Sequence, residues 1–182
     1  MTQFKIAADC SITALSKLFE ESSPVVRELN LADSHLTNEH LEAVAKSCPL
    51  LEALVIDNCL QVTTLPLGLR KLQHFSCALC LKIGDASLRE FASACDSLNS
   101  MNLFFCRNIT DAGLVNFCAM HTGSLRMLDL SNCHKVTKPL RKPPKSFAIH
   151  CSNFAISCSN YFLCCVLPLN VPCGFRCYRL PR

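Results

Sequence analysis

The chain has 182 residues, half of them hydrophobic and 18% charged; that suffices for one domain core and excludes a wholly disordered chain. Five glycines exclude collagen-like and glycine-rich classes. The net charge of +4 hides a split: residues 1–137 carry 11 Lys and Arg against 14 Asp and Glu, whereas residues 138–182 carry seven Lys and Arg and no acid.

The chain opens MTQFKIAADCSITALSKLF, with no basic start followed by an apolar run. No secretory signal is expected, so the reading is a cytoplasmic or nuclear protein whose 15 cysteines stay reduced. Phe4 and Ile6 lie 25 residues before Leu29 and Leu31 and predict a degenerate first repeat, with Ile12, Leu15, Leu18 and Phe19 as a helical face. ELNLADS, ALVIDNC, HFSCALC, SMNLFFC and MLDLSNC then follow. Their first apolar strand positions are Leu29, Leu54, Phe75, Met101 and Leu128, in steps of 25, 21, 26 and 27 residues. That period is the range of leucine-rich repeats. A second inward position follows at Leu31, Ile56, Cys77, Leu103 and Leu130, because alternate strand residues share a face. Three residues later come Ser34, Cys59, Cys80, Cys106 and Cys133.

Helical returns are predicted after Leu36, Ile83 and Ile109. Leu41, Val44 and Ala45 share one helix face, as do Leu88, Phe91 and Ala92, and Leu114 and Phe117. Asp85 and Asp111 precede two of these runs and are expected to cap them by accepting the first free amides. Cys48-Pro49 is expected to close the first helix. After Cys59 only 21 residues separate two strands, and Pro66 and Gly68 predict an extended or 3₁₀ return.

The tail from residue 138 begins KPLRKPPK, where Pro139, Pro143 and Pro144 oppose a helix, and continues with six cysteines and no repeat. Residues 146–175 hold no charged side chain. A membrane segment, a lipid anchor at Cys164-Cys165 beside the basic stretch, and a poorly ordered non-native tail all stay open, with membrane contact not favoured because Asn153, Asn160 and several serines dilute the apolar run. Zinc held by Cys151, Cys158, Cys173 and Cys177 fits no familiar spacing.

The segments CPLLEALVIDNCLQVT, ACDSLNSMNLFFCRNITDAGLVNF and GSLRMLDLSNCHKVT resemble the cysteine-containing leucine-rich repeat subtype of F-box/LRR proteins and Amn-type regulators. The resemblance covers residues 1–137 and implies an α/β leucine-rich repeat solenoid, or horseshoe, of a degenerate first repeat plus about four more. It places parallel strands on the concave face and helices or turns on the convex face. It also implies a noncatalytic module that selects protein substrates for an SCF-type ubiquitin ligase, with ligase components among its partners. No F-box is recognised in the chain. A membrane-tethered scaffold, or a truncated or splice-variant fragment without a ligase link, stands as the alternative.

The ladder cysteines recur once per repeat, so a small buried thiol under the turn leaving each strand accounts for all four. That leaves metal or redox chemistry at Cys77-x-x-Cys80 the weaker reading, and no cofactor or metal is expected. None of the six histidines sits in a catalytic motif with Cys and a carboxylate. Candidate partner-binding residues are the outward strand positions Glu28, Asn30, Val55, Asp57, His74, Ser76, Asn102, Phe104, Met127 and Asp129, with Phe105 beside them. Phe104, Phe105, Val55 and Met127 are the apolar anchors, and Glu28, Asp57 and Asp129 form an acidic rim. That sign opposes nucleic-acid binding and suits a basic or mixed peptide.

Overall fold

A computed structural model describes residues 26–121 and 124–137, together with the backbone of Thr2–Gln3, Lys17 and Ala148–His150. Seven short strands form one parallel sheet in chain order. They are β1 (Thr2–Gln3), β2 (Glu28–Asn30), β3 (Ala53–Val55), β4 (His74–Ser76), β5 (Ser100–Asn102), β6 (Met127–Asp129) and β7 (Ala148–His150). Among the described residues three helices return the chain between strands: α1 (Asn38–Ser47), α2 (Asp85–Ala94) and α3 (Asp111–Met120).

The register is the one the apolar spacing predicts from Leu29 onward: Leu29 pairs with Leu54, then Phe75, Met101 and Leu128. These five, and Leu31, Ile56, Cys77, Leu103 and Leu130, are buried in one continuous core. The first strand corrects the expectation. Leu29 pairs with Thr2 rather than with Phe4. A slip of two residues keeps the same strand face inward, so alternation alone could not have detected it. The helical face expected over Ile12–Phe19 lies outside the described residues. Beyond the boundary drawn at residue 137, Ile149 of β7 pairs with Leu128.

The helices bury the faces expected of them: Leu41 and Val44 with Ala45 partly covered, Leu88, Phe91 and Ala92, and Leu114 and Phe117. Cys48 and Cys95 end α1 and α2, and Cys118 lies within α3, all buried. The short unit after Cys59 has no helix. Its chain turns through Gly68 at φ 91° and fills the same side of the core with Leu65, Leu69 and Leu72.

The capping expectation for Asp85 and Asp111 is overturned. The N-caps are Thr37, Gly84 and Thr110. Asp85 instead accepts from the backbone amide (2.8 Å) and hydroxyl (2.6 Å) of Thr110 in the next repeat. Asp111 accepts in the same way from the amide (2.8 Å) and hydroxyl (2.9 Å) of Thr137. Asn38 does this between the Leu29 and Leu54 units, accepting from the amides of Thr63 and Thr64 and donating to the Thr63 hydroxyl. The side chain at each helix start therefore clips its repeat to the following one.

Candidate functional site

Each strand leaves the sheet through the same turn. Its fourth residue beyond the first inward position takes a left-handed conformation: Asp33, Asn58, Leu79, Phe105 and Asn132, with φ between 57° and 62°. The amides of the first four donate to carbonyls of the next repeat, to Asp57, Ala78, Phe104 and Ser131, each at 2.8 Å. The turns are thereby stacked at the spacing of the strands.

The ladder thiols sit immediately after these residues and are fully buried. Cys59 donates to the Leu31 carbonyl (3.4 Å), Cys80 to Ile56 (3.2 Å), Cys106 to Cys77 (3.2 Å) and Cys133 to Leu103 (3.1 Å). Each thiol thus satisfies a carbonyl one repeat back, as expected of a small buried donor under the turn. Burial pushes Cys59 up to about 11 and Cys133 up to about 12, and Cys80 higher. Cys77 also rises, held first by its hydrogen bond with Cys106 and then by burial. The thiols so shifted carry almost no thiolate at neutral pH. Among the described residues no group of three His, Cys, Asp or Glu is arranged to hold a metal.

The outward strand positions divide into three sets. Glu28 and His74 are exposed, and Met127 is partly so. His74 Nδ1 lies 2.8 Å from the Ser100 hydroxyl. Val55 and Ser76 are placed otherwise than expected, with only 8% and 6% of their surface accessible. They occupy adjacent central strands, where Asn30, Val55, Ser76, Asn102 and Asp129 lie side by side. In such a row a small side chain is screened by those on both flanking strands.

The third set is occupied internally. Asn30, Asn102 and Asp129 each accept the amide two residues on, from Ala32 (3.0 Å), Phe104 (2.9 Å) and Ser131 (2.8 Å). These Asx turns aim the chain off the strand. At the same position Ser76 has no carboxylate or amide, and Asp57 of the preceding repeat supplies the missing acceptor. It takes the Ala78 amide at 2.8 Å and the Ser76 hydroxyl at 2.5 Å. Burial raises the Asp57 carboxyl above its ordinary range, opposed by these two hydrogen bonds.

Phe104 and Phe105 stay out of the core, both partly exposed. Their rings stack with centroids 6.0 Å apart. The Arg107 guanidinium lies 4.1 Å from the Phe105 centroid, and the His134 ring meets Phe105 edge-on at 6.3 Å. Arg107 and His134 belong to a row that strand spacing overlooked, the residue after each ladder position: His35, Leu60, Leu81, Arg107 and His134. Leu60 and Leu81 expose 50% and 38% of their surface. Two leucines in a turn position where the other repeats carry polar residues were a readable signal.

Residues 146–175, the candidate membrane segment, lie outside the described residues except Ala148–His150, as do Cys164 and Cys165 and the four candidate zinc cysteines. Among the described residues no helix is long and apolar enough to cross a membrane.

No family model matches the chain. Among solved structures it is similar to a chain in the crystal structure of the Rad7 and Elc1 complex in yeast, at 19% identity and a TM-score of 0.55. The match covers 78% of this chain and 44% of that one, so the chain spans less than half of its neighbour's length. At this identity the likeness speaks to fold alone, a parallel α/β arrangement compatible with an LRR-like solenoid.

Proposed function

We propose that the chain is a noncatalytic protein-recognition module, a cysteine-type leucine-rich repeat horseshoe whose concave face and turn rim receive a protein partner. The carrying observation is the strict stacking of one strand and one left-handed turn per repeat, which presents a new side chain at each rung of a continuous surface. The thiol ladder supports the cysteine-type assignment, since four repeats spend a thiol on the same carbonyl bond. The raised thiols and the nearly buried Ser100 beside His74 favour binding over catalysis. The role in substrate selection for an SCF-type ubiquitin ligase rests on the resemblance of the repeats. It is consistent with a fold neighbour that is itself crystallised with a second protein. A cytoplasmic or nuclear setting follows from the same reading.

Site-specific photo-crosslinking in cells tests it. A crosslinker at His74 or Met127 on the strand face should trap a protein and co-isolate cullin-type ligase subunits. The same crosslinker at Val115 on α3 should not. Adducts from Val115 alone would overturn recognition on the strand side, and adducts without ligase subunits would overturn the ligase assignment.

A further inference from the structure

The turn rim has a direction. At its N-terminal end stand Asp33 and Asp57, and at its C-terminal end Arg107 and His134, with Leu60 and Leu81 exposed between them. Asp57 accepts from Ser76 and Ala78 through Oδ1, and Asp33 accepts from Asn58 at 3.0 Å. Arg107 is exposed, and among the described residues no carboxylate pairs with it; its guanidinium lies over the Phe105 ring. The C-terminal end of the rim is therefore locally positive, with Lys135 held on Asn108 beside Arg107, while the carboxylates of Asp33 and Asp57 stay at the other end; the positive end adjoins an aromatic pair.

Phe105 itself sits at φ 59°, in the left-handed region that a bulky L-residue enters only at a steric cost. Three of the four equivalent positions carry Asp or Asn, which adopt this conformation readily. An aromatic ring kept here against that cost, in contact with Phe104 and Arg107, is the kind of strained position found at binding sites.

The geometry points to the turn rim around Phe105 and Arg107 as the docking site for an acidic peptide segment of another protein, anchored by an aliphatic or aromatic side chain. The anchor packs on Phe104, Phe105 and Leu81, and its flanking carboxylates meet Arg107 and His134. Charge decides the occupant. The chain's own residues 138–182 hold seven Lys and Arg and no acid, so they bring no side-chain carboxylate to this site. This inference rests on the recognition reading above and names its partner class. It differs in sign from the peptide expected on the strand residues because it uses the C-terminal end of the rim, where Arg107 and Lys135 stand, rather than the strand acids.

Fluorescence anisotropy with the full chain tests it, using three labelled peptides that share a central Leu-Phe pair flanked by Asp and Glu, by Lys and Arg, or by Ser. The acidic peptide should bind best and weaken with salt. Phe105→Asn, which places at 105 the residue already present at 58 and 132, should keep the fold. It should lower affinity about thirtyfold, the scale of a hot-spot truncation. Arg107→Glu should invert the preference toward the Lys and Arg peptide. Equal or stronger binding of the basic peptide, no binding of any peptide, or an unchanged affinity in Phe105→Asn of unaltered melting temperature would each overturn the proposal. Self-association abolished by Arg107→Glu would seat a second copy on the rim and overturn it as well. A crosslinked partner at His74 that survives both variants would leave the recognition reading standing and remove only the acidic-rim inference.

Discussion

At Asn58 one backbone angle sets what the residue must be. Its φ of 57° lies in the left-handed region, its amide reaches the Ala78 carbonyl at 2.8 Å, and its side chain donates to Asp33 at 3.0 Å. Asn58→Val should lose about 1–2 kcal/mol, since a β-branched side chain clashes with its own backbone there. Asn58→Gly should stay within about 0.5 kcal/mol, because glycine enters the region freely and the lost hydrogen bond is exposed to water. Urea denaturation of the two variants separates backbone strain from side-chain bonding. A second residue-scale conflict lies at His121. It is buried at the end of α3 against the Phe117 ring, and among the described residues neither ring nitrogen has a hydrogen-bond partner. Burial lowers its pKa from the usual 6.5, only partly opposed by the charge of Asp96. The native state then binds fewer protons than the unfolded chain, so its stability is lost as pH falls below 6.5. His121→Leu should flatten that acid-side decline and leave a higher melting temperature at pH 5.5 than the wild type has. An unchanged acid profile would show that His121 does not drive it.

At the scale of the element, helices were readable and their connections were not. The faces of α1, α2 and α3 follow from apolar residues three and four apart, a signal contained within each helix. The work of Asp85 is not local. Its acceptors face Thr110, 25 residues on, and Gly113 leaves room for it: a Cβ there would stand 2.2 Å from Asp85 Oδ1. Sequence windows assign such an Asp to its own helix because the partner lies one repeat away. The rim was missed for a related reason. Strand alternation marks Phe104 but says nothing of Leu81 or Arg107, which reach the same surface through a turn. Asp85→Ala should cost about 1–3 kcal/mol by leaving the Thr110 amide without its acceptor. Asp85→Asn should cost less than half of that, because Asn38 already makes the equivalent clip with one oxygen and one amide nitrogen. Equal losses in the two variants, read by thermal unfolding, would deny the clip its role.

Across the whole molecule, the repeats share one core and one set of buried protons. Cys48, Cys59, Cys95, Cys118 and Cys133 are spread from the first helix to the last described turn, and burial pushes them to about 11 or 12 from an ordinary value of 9.0. In the unfolded chain these thiols ionise as pH passes 9; in the folded chain they stay protonated until pH 11–12. The native state therefore binds more protons over that window, and stability is full below pH 9 and falls as pH rises. The loss is shared by every stacked unit, because each ladder thiol holds a carbonyl of the repeat before it. Melting temperatures should hold steady through neutral pH and drop steeply above pH 9, with the ladder cysteines becoming alkylated by iodoacetamide only as the fold is lost. Alkylation of Cys59 or Cys133 at pH 8 in the folded protein would mean that these thiols are not the sealed, protonated donors the stacking requires.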